Sequence, residues 1–311
     1  MTGADTASAT RAGVVQLIAG SFLISFSAVF VKLAHIGPTA AGFYRNLFGG
    51  LVLLVVVFAR RSRLWRGRRP MVYALMAGVF FGADIFCWHR SINYIGPGLA
   101  TIMGNFQVFF MALVGVFVFK EKATWRFVVS IPLAVTGLFL LVGLEWSELD
   151  ASYKQGVWLG LATALTYAAY LLTVRRSQRE TVRLGAMANL AILSLVTATL
   201  LGVSNLVEGK SFRIVDTRTW VVLVAYGVVC QAAGWIIISR ALRVVDASRA
   251  GLMLLLQPSL TFLWDILFFG RPTTAVEGFG AALALGAIYL GNTRSRKAVA
   301  EPAIVSTEDK L

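Results

Sequence analysis

Apolar residues in this chain neither alternate nor mark one stripe of short helices. They come in unbroken stretches of about twenty, the length that carries a helix across a bilayer core of about 30 Å. Ten such runs can be marked, at 13–34, 39–59, 71–88, 98–119, 124–144, 156–174, 184–206, 220–239, 248–269 and 275–292. Short connectors separate them. The pattern predicts an all-α membrane protein with ten transmembrane helices.

Composition narrows the picture further. Hydrophobic residues make up 58% of the 311 and charged residues 14%, with a mean hydropathy of +0.75, against about 45–50% and about 25% in soluble domains. Length alone would allow two soluble domains; the runs exclude them. The connectors are too short to fold, so no catalytic domain stands outside the membrane. The first run exceeds the apolar core of about 7–15 residues expected of a signal peptide and reads as an uncleaved helix. Cys87 and Cys230 both fall inside runs and read as buried free thiols.

A net charge of +14 would point to nucleic acid in a soluble protein, but here its distribution follows topology. With the N-terminus inside, 21 of the 29 basic residues fall on the cytoplasmic side, including the cluster Arg60, Arg61, Arg63, Arg66, Arg68 and Arg69. Glu145, Glu148, Asp150, Glu208 and Asp216 gather on the other side. Both termini are expected in the cytoplasm of a cell whose inner membrane holds the protein. The arginine cluster reads as topology and lipid headgroup contact, and nucleic acid is not an expected partner.

The chain also repeats itself. An offset of 143 pairs Gly13 with Gly156, Gly42 with Gly185 and Asn46 with Asn189. Further on, an offset of 150 pairs Arg90 with Arg240, Met103 with Met253, Gln107 with Gln257 and Phe119 with Phe269. Five runs per half is an odd number, so the second half must lie upside down relative to the first. The expected organisation is a tail at 1–12, a five-helix repeat at 13–145, an inverted five-helix repeat at 156–293 and a tail at 294–311. Inverted repeats place a binding site near the midplane and open it alternately to each side.

The end of each half carries a family resemblance. The first half reads SINYIGPGLATIMGNFQVFF and then FKEKATW, with Glu121 after its fourth run. The second reads ALRVVDASRAGLMLLLQPSLTFLWDILFFGRPTTAVEGFGAALALGAIYL, with Pro258 and Gly286 at familiar places. This resembles the drug/metabolite transporter superfamily in its EamA-type exporter branch, across essentially the whole chain. Arg271-Pro272 departs from the pattern, standing where a glutamate is common. The segment CWHRS at 87–91 is similar to the aromatic amino-acid exporters. The resemblance implies a secondary transporter that exports metabolites, aromatic or other apolar amino acids first among them. A drug or other-metabolite exporter of the same fold is the alternative.

Ionisable groups deep in a run cost about 2.5–3.5 kcal/mol each on insertion scales, so they face protein or water. Arg45, Asp84 and Asp265 are such groups. For Asp84 two readings stand open, proton coupling or a hydrogen bond inside the bundle, with Arg45 as a partner. Asp265 reads as structural. His89 follows Trp88 where the third run ends; no second histidine or thiolate has metal spacing with it, so it reads as a polar residue or a substrate contact and no metal is expected.

Met103, Gln107 and Met111 share a helical face in the fourth run, as do Met253, Gln257 and Thr261 in the ninth. Methionines adapt to varied apolar shapes and glutamine both donates and accepts. These residues suit a pocket or, on the alternative reading, helix packing with an interhelical amide bond. Mid-run Trp235, Tyr167 and Tyr170, with Gln231, Ser21 and Ser25, complete the candidates. The expected substrate contacts are Trp88, His89, Met103, Gln107, Tyr167, Trp235, Met253 and Gln257, with Asp84 and Arg45 as coupling or structural groups. Neither a zinc-type HExxH nor a phosphate loop GxxxxGK[ST] occurs, so the chain reads as no enzyme and needs no cofactor. A channel is disfavoured, since no filter or carboxylate ring is evident. The expected partners are a small molecule and the bilayer, and the favoured state is a monomer.

Overall fold

The protein is described by a computed structural model over residues 3–118, 120, 125–142, 149–178, 180–182, 184–241 and 253–292. Among these residues every regular element is helical. The order is α1 (Gly3–Ser25), α2 (Ser27–Leu33), α3 (Pro38–Ala59), α4 (Arg68–Ile95), α5 (Pro97–Gly104), α6 (Gln107–Phe117), α7 (Trp125–Val142) and α8 (Ala151–Gln178). There follow α9 (Ala186–Val207), α10 (Thr217–Ala225), a π-helical segment (Tyr226–Gly234), α11 (Trp235–Ala241), α12 (Leu256–Phe269) and α13 (Ala275–Asn292). Glu121, the inner part of the ninth run and the tail at 294–311 lie outside the described residues.

Seven helical stretches are long and apolar enough to cross a membrane: Arg11–Leu33, Pro38–Ala59, Arg68–Ile95, Pro97–Phe117, Ala151–Val174, Ala186–Val207 and Thr217–Ile238. Three shorter apolar helices, Trp125–Leu141, Leu256–Phe269 and Ala275–Gly291, coincide with the fifth, ninth and tenth runs. Their outer surfaces are apolar: Phe58, Trp158, Phe117 and Phe139 are all exposed. Such a belt loses nothing against lipid tails, where close packing rather than apolar burial holds helices together.

Several of the expected helices are not the plain α-helices that their hydropathy predicts. The third does not end at Trp88 but continues to Ile95, because Gly96 is the residue that can turn the chain: its φ is +85° and a Cβ there would meet Asp265 Oδ2 at 2.7 Å. Pro97 then opens α5. The fourth is broken at Asn105–Phe106, where Asn105 Nδ2 donates to the Thr101 carbonyl at 2.8 Å. The first is broken at Phe26, and the Ser25 carbonyl finds a donor across the bundle in Thr261 Oγ1 at 3.0 Å. The eighth relaxes into a π-helix through its middle. Such departures occur in membranes only where protein or a cavity supplies the lost hydrogen bonds.

The principal packing pairs are α4 with α8, α7 with α13, α3 with α9 and with the π-segment, α4 with α9, α5 with α12 and with α8, and α1 with α11 and with α12. Where α7 and α13 cross, a Cβ on Gly137 would lie 2.6 Å from the Ala284 nitrogen and one on Gly280 would lie 2.9 Å from the Gly137 carbonyl. Only hydrogen fits at that crossing. Gly78 likewise lets α4 approach α9, a Cβ there falling 2.7 Å from Val196. The expected free thiols are present, Cys230 buried and Cys87 half-buried.

Candidate substrate cavity

The breaks in α1–α2 and α5–α6 and the π-segment do not scatter over the bundle. They surround one cavity of ≈ 390 Å³, within the range of small-molecule sites. Its wall takes Ile24 and Ser27 from the first break, Asn105, Gln107 and Met111 from the second, and Trp235 from the end of the π-segment. Arg45 of α3, Asp84 and Trp88 of α4, Thr163 and Tyr167 of α8, Gln257 of α12 and Ile288 of α13 complete most of it. Seven of the ten residues expected in the site thus share one wall: Arg45, Asp84, Trp88, Gln107, Tyr167, Trp235 and Gln257.

The other three stand behind it. Met103 is fully buried and its Sδ packs against Gly160 of α8. The turn at Asn105–Phe106 lies between it and Gln107 and Met111, which reach the wall. Met253 is not on the wall but packs with Leu17 and Ile238, next to its lining residues. His89 is fully buried within α4 rather than at its end, with Nδ1 at 2.9 Å from the Pro38 carbonyl and Nε2 at 2.9 Å from the Tyr226 hydroxyl.

A carbonyl can only accept, so Nδ1 carries the proton and Nε2 of the neutral ring accepts from Tyr226. The Tyr226 oxygen in turn accepts from Arg45 NH1 at 2.9 Å. Arg45 Nε donates to Gln231 Oε1 at 2.9 Å, while Gln231 Nε2 donates to Ser194 Oγ at 2.9 Å. The guanidinium lies over the Tyr226 ring at 4.8 Å, with Phe81 and Trp88 at 5.7 and 5.9 Å. Two charge-assisted bonds at about 1.5–3 kcal/mol each outweigh the insertion cost of about 2.5–3.5 kcal/mol. Arg45 is therefore held, and in one orientation.

Asp84 is treated differently. It is only 6% exposed, and among the described residues no hydrogen bond or ion pair reaches its carboxylate. The expected bond to Arg45 does not form, because Tyr226 and Gln231 take that side chain. Gln107 turns its amide nitrogen to the Gly104 and Asn105 carbonyls at the helix break, at 2.5 and 2.8 Å. Tyr226 is the contact that sequence reasoning missed.

One end of the bundle is tied together by polar contacts between distant elements. Asp265, 2% exposed near the end of α12, accepts from the Gly98 amide at 2.9 Å and lies 3.6 Å from Arg271 NH1. Arg271 NH1 also donates to the Ile95 carbonyl at 3.2 Å, which links α12 to α4 at this end. On the same end Arg90 pairs with Glu208, and Ser91 Oγ donates to the Gly156 carbonyl at 2.8 Å. Toward the opposite end the cavity wall continues through Ile238 and Leu254.

A shell of lipid-facing apolar helices around a cavity with a few aimed polar groups is the build of a membrane transport protein. The chain belongs to the EamA-like transporter family, whose pattern it matches over residues 11–143 and 154–293, and with it to the drug/metabolite transporters of the EamA exporter type. It is a transporter and not an enzyme. The chain is 25% identical over 278 residues to a probable amino-acid metabolite efflux pump of Salmonella typhimurium, covering 86% of this chain and 89% of that one. It is 24% identical over 293 residues to the pseudopaline exporter CntI of Pseudomonas aeruginosa, with 91% and 97% covered. An uncharacterized inner membrane transporter, YhbE of Escherichia coli, is 23% identical over 310 residues, with 90% and 91% covered. A crystal structure 19% identical in sequence matches the fold with a TM-score of 0.64 over 91% of this chain and 96% of that one.

Proposed function

We propose that this transporter is a secondary carrier that exports aromatic or other apolar amino acids across the cytoplasmic membrane by alternating access. In this reading a single chain forms ten transmembrane helices in two inverted five-helix halves, with both termini in the cytoplasm. The packing supports the inversion. Under exchange of the halves α1–α11 becomes α8–α4, α4–α9 becomes the π-segment with α3, and α6–α8 becomes α12–α1; each of these pairs occurs. The helix interruptions at Asn105–Phe106 and at Leu255, just before Gln107 and Gln257, fit the same exchange.

The observation that carries the function is the cavity, which both halves line and in which polar groups alternate with Trp88, Tyr167 and Trp235. Its volume suits one amino acid, and its aromatic wall suits a flat or apolar side chain. The tied end around Asp265 and the basic connectors at the opposite end support a cavity closed to the outside. The similarity to the pseudopaline exporter supports a second reading, export of another metabolite.

Purified protein in liposomes tests both. Saturable uptake of a labelled aromatic amino acid, accelerated by the same amino acid preloaded inside, is expected of the carrier. Counterflow of other metabolites but of no amino acid would replace the first reading by the second, and ion conductance without counterflow would end both.

A further inference from the structure

The cavity wall carries an arginine and an aspartate that do not pair with each other. Arg45 and Asp84 are 4% and 6% exposed, both border the cavity, and no ion pair joins them. Their relative position follows from the rings. Phe81 and Trp88 stand one turn to either side of Asp84 on the same face of α4, and the Arg45 guanidinium lies within 6 Å of both. The two side chains therefore lie over one short stretch of α4 without a hydrogen bond or ion pair between them.

What each lacks is complementary. Arg45 Nε and NH1 are committed to Gln231 and Tyr226, which fixes the fork and leaves NH2 without a protein acceptor among the described residues. The Asp84 carboxylate has no donor among them. A missing anion beside one and a missing cation beside the other describe a molecule that carries both charges on neighbouring atoms. We infer that this stretch of the wall is the anchor for the α-ammonium and α-carboxylate of a zwitterion, the carboxylate taken by Arg45 and the ammonium by Asp84. The side chain then extends toward Tyr167 and Trp235. This rests on the amino-acid reading above and assigns its polar contacts to the charged pair, leaving Gln107 and Gln257 to the walls.

Single-charge analogues separate the two anchors. Counterflow of labelled phenylalanine is challenged with phenylalanine, with phenethylamine, which lacks the carboxylate, and with 3-phenylpropionate, which lacks the ammonium. In the unaltered protein phenylalanine should compete at about tenfold lower concentration than either analogue, since a buried charge left unpaired costs at least that factor. In Asp84→Asn the advantage over 3-phenylpropionate should vanish while that over phenethylamine remains. Arg45→Gln should show the reverse pattern. Where Arg45→Gln does not fold, Asp84→Asn carries the test alone, because Arg45 keeps its own partners. An unchanged ranking in Asp84→Asn, or an equal loss for all three compounds, overturns the anchor. Absence of all amino-acid counterflow in the unaltered protein would instead overturn the amino-acid reading on which the anchor stands.

Discussion

Replacing Asp265 by alanine should make the cavity reachable from the tied end. In the structure this carboxylate holds the Gly98 amide at the start of α5 from the far side of the bundle, at 2.9 Å, and neutralises Arg271 at 3.6 Å. The junction it bridges is tight, a Cβ on Gly98 falling 2.7 Å from Phe262, so water cannot simply take its place. A charge-assisted hydrogen bond contributes about 1.5–3 kcal/mol. If that contact exists only while this end is closed, its loss shifts the equilibrium toward opening by about ten- to a hundredfold. Thr101, 3% exposed and on the cavity wall, is the reporter. With Cys87 and Cys230 replaced by alanine, Thr101→Cys should react with a membrane-impermeant maleimide from that end about ten times faster or more once Asp265→Ala is added. Asp265→Asn, which keeps an acceptor for Gly98 but loses the charge, should fall between. Equal labelling rates in all three, with equal folded yields, would show that this contact does not govern closure.

Further consequences can be measured separately. Gln107→Leu removes the donor that holds the Gly104 and Asn105 carbonyls; flux should fall about three- to tenfold, the value of one hydrogen bond of up to about 1.5 kcal/mol, while the protein stays monodisperse. Gly137→Leu places side-chain atoms against the Ala284 backbone and should lower the melting temperature and break monodispersity in size-exclusion chromatography, whereas Gly278→Ala, with open space around it, should do neither. Ser62→Cys and Ser152→Cys, both exposed, should label from opposite sides of the membrane; labelling of both from outside would defeat the inverted topology. Asp216 caps α10, and the Thr219 amide and then its hydroxyl hold the Asp216 carboxyl below its ordinary range. A depressed acid stabilises the fold above its unfolded-state value and loses that contribution as pH falls through the depressed value, so Asp216→Ala should flatten the acid side of a pH–stability profile.

The helices were legible because run length is a one-dimensional signal and lipid permits few alternatives. Their interruptions were not, since Phe26 and Asn105–Phe106 lie inside stretches whose hydropathy does not falter. That is why Met103 was grouped with Gln107. The turn there lies between the two, with Met103 in the packing and Gln107 on the wall. Arg45 and Asp84 stood out as charges among apolar neighbours, and mid-run Trp88, Tyr167 and Trp235 do face the cavity. The partners of Arg45 were hidden by geometry. On an α-helix Tyr226 and Gln231, five residues apart, would point about 140° away from each other. The i→i+5 hydrogen bonding of a π-helix sets residues five apart nearly over one another, and so both reach one guanidinium. No hydropathy pattern announces that change of pitch.

The Arg45 network also bears on how the chain is made. Its acceptor Gln231 lies 186 residues further along the chain, and at about 5–20 residues per second of synthesis that segment arrives roughly 10–40 s after Arg45 has been delivered to the membrane. Over that interval the guanidinium has none of the partners that hold it in the finished protein. The first acidic residue to follow it out of the ribosome is Asp84. Asp84 is thus the first carboxylate the arginine can meet in the nascent chain, well before Tyr226 and Gln231 arrive.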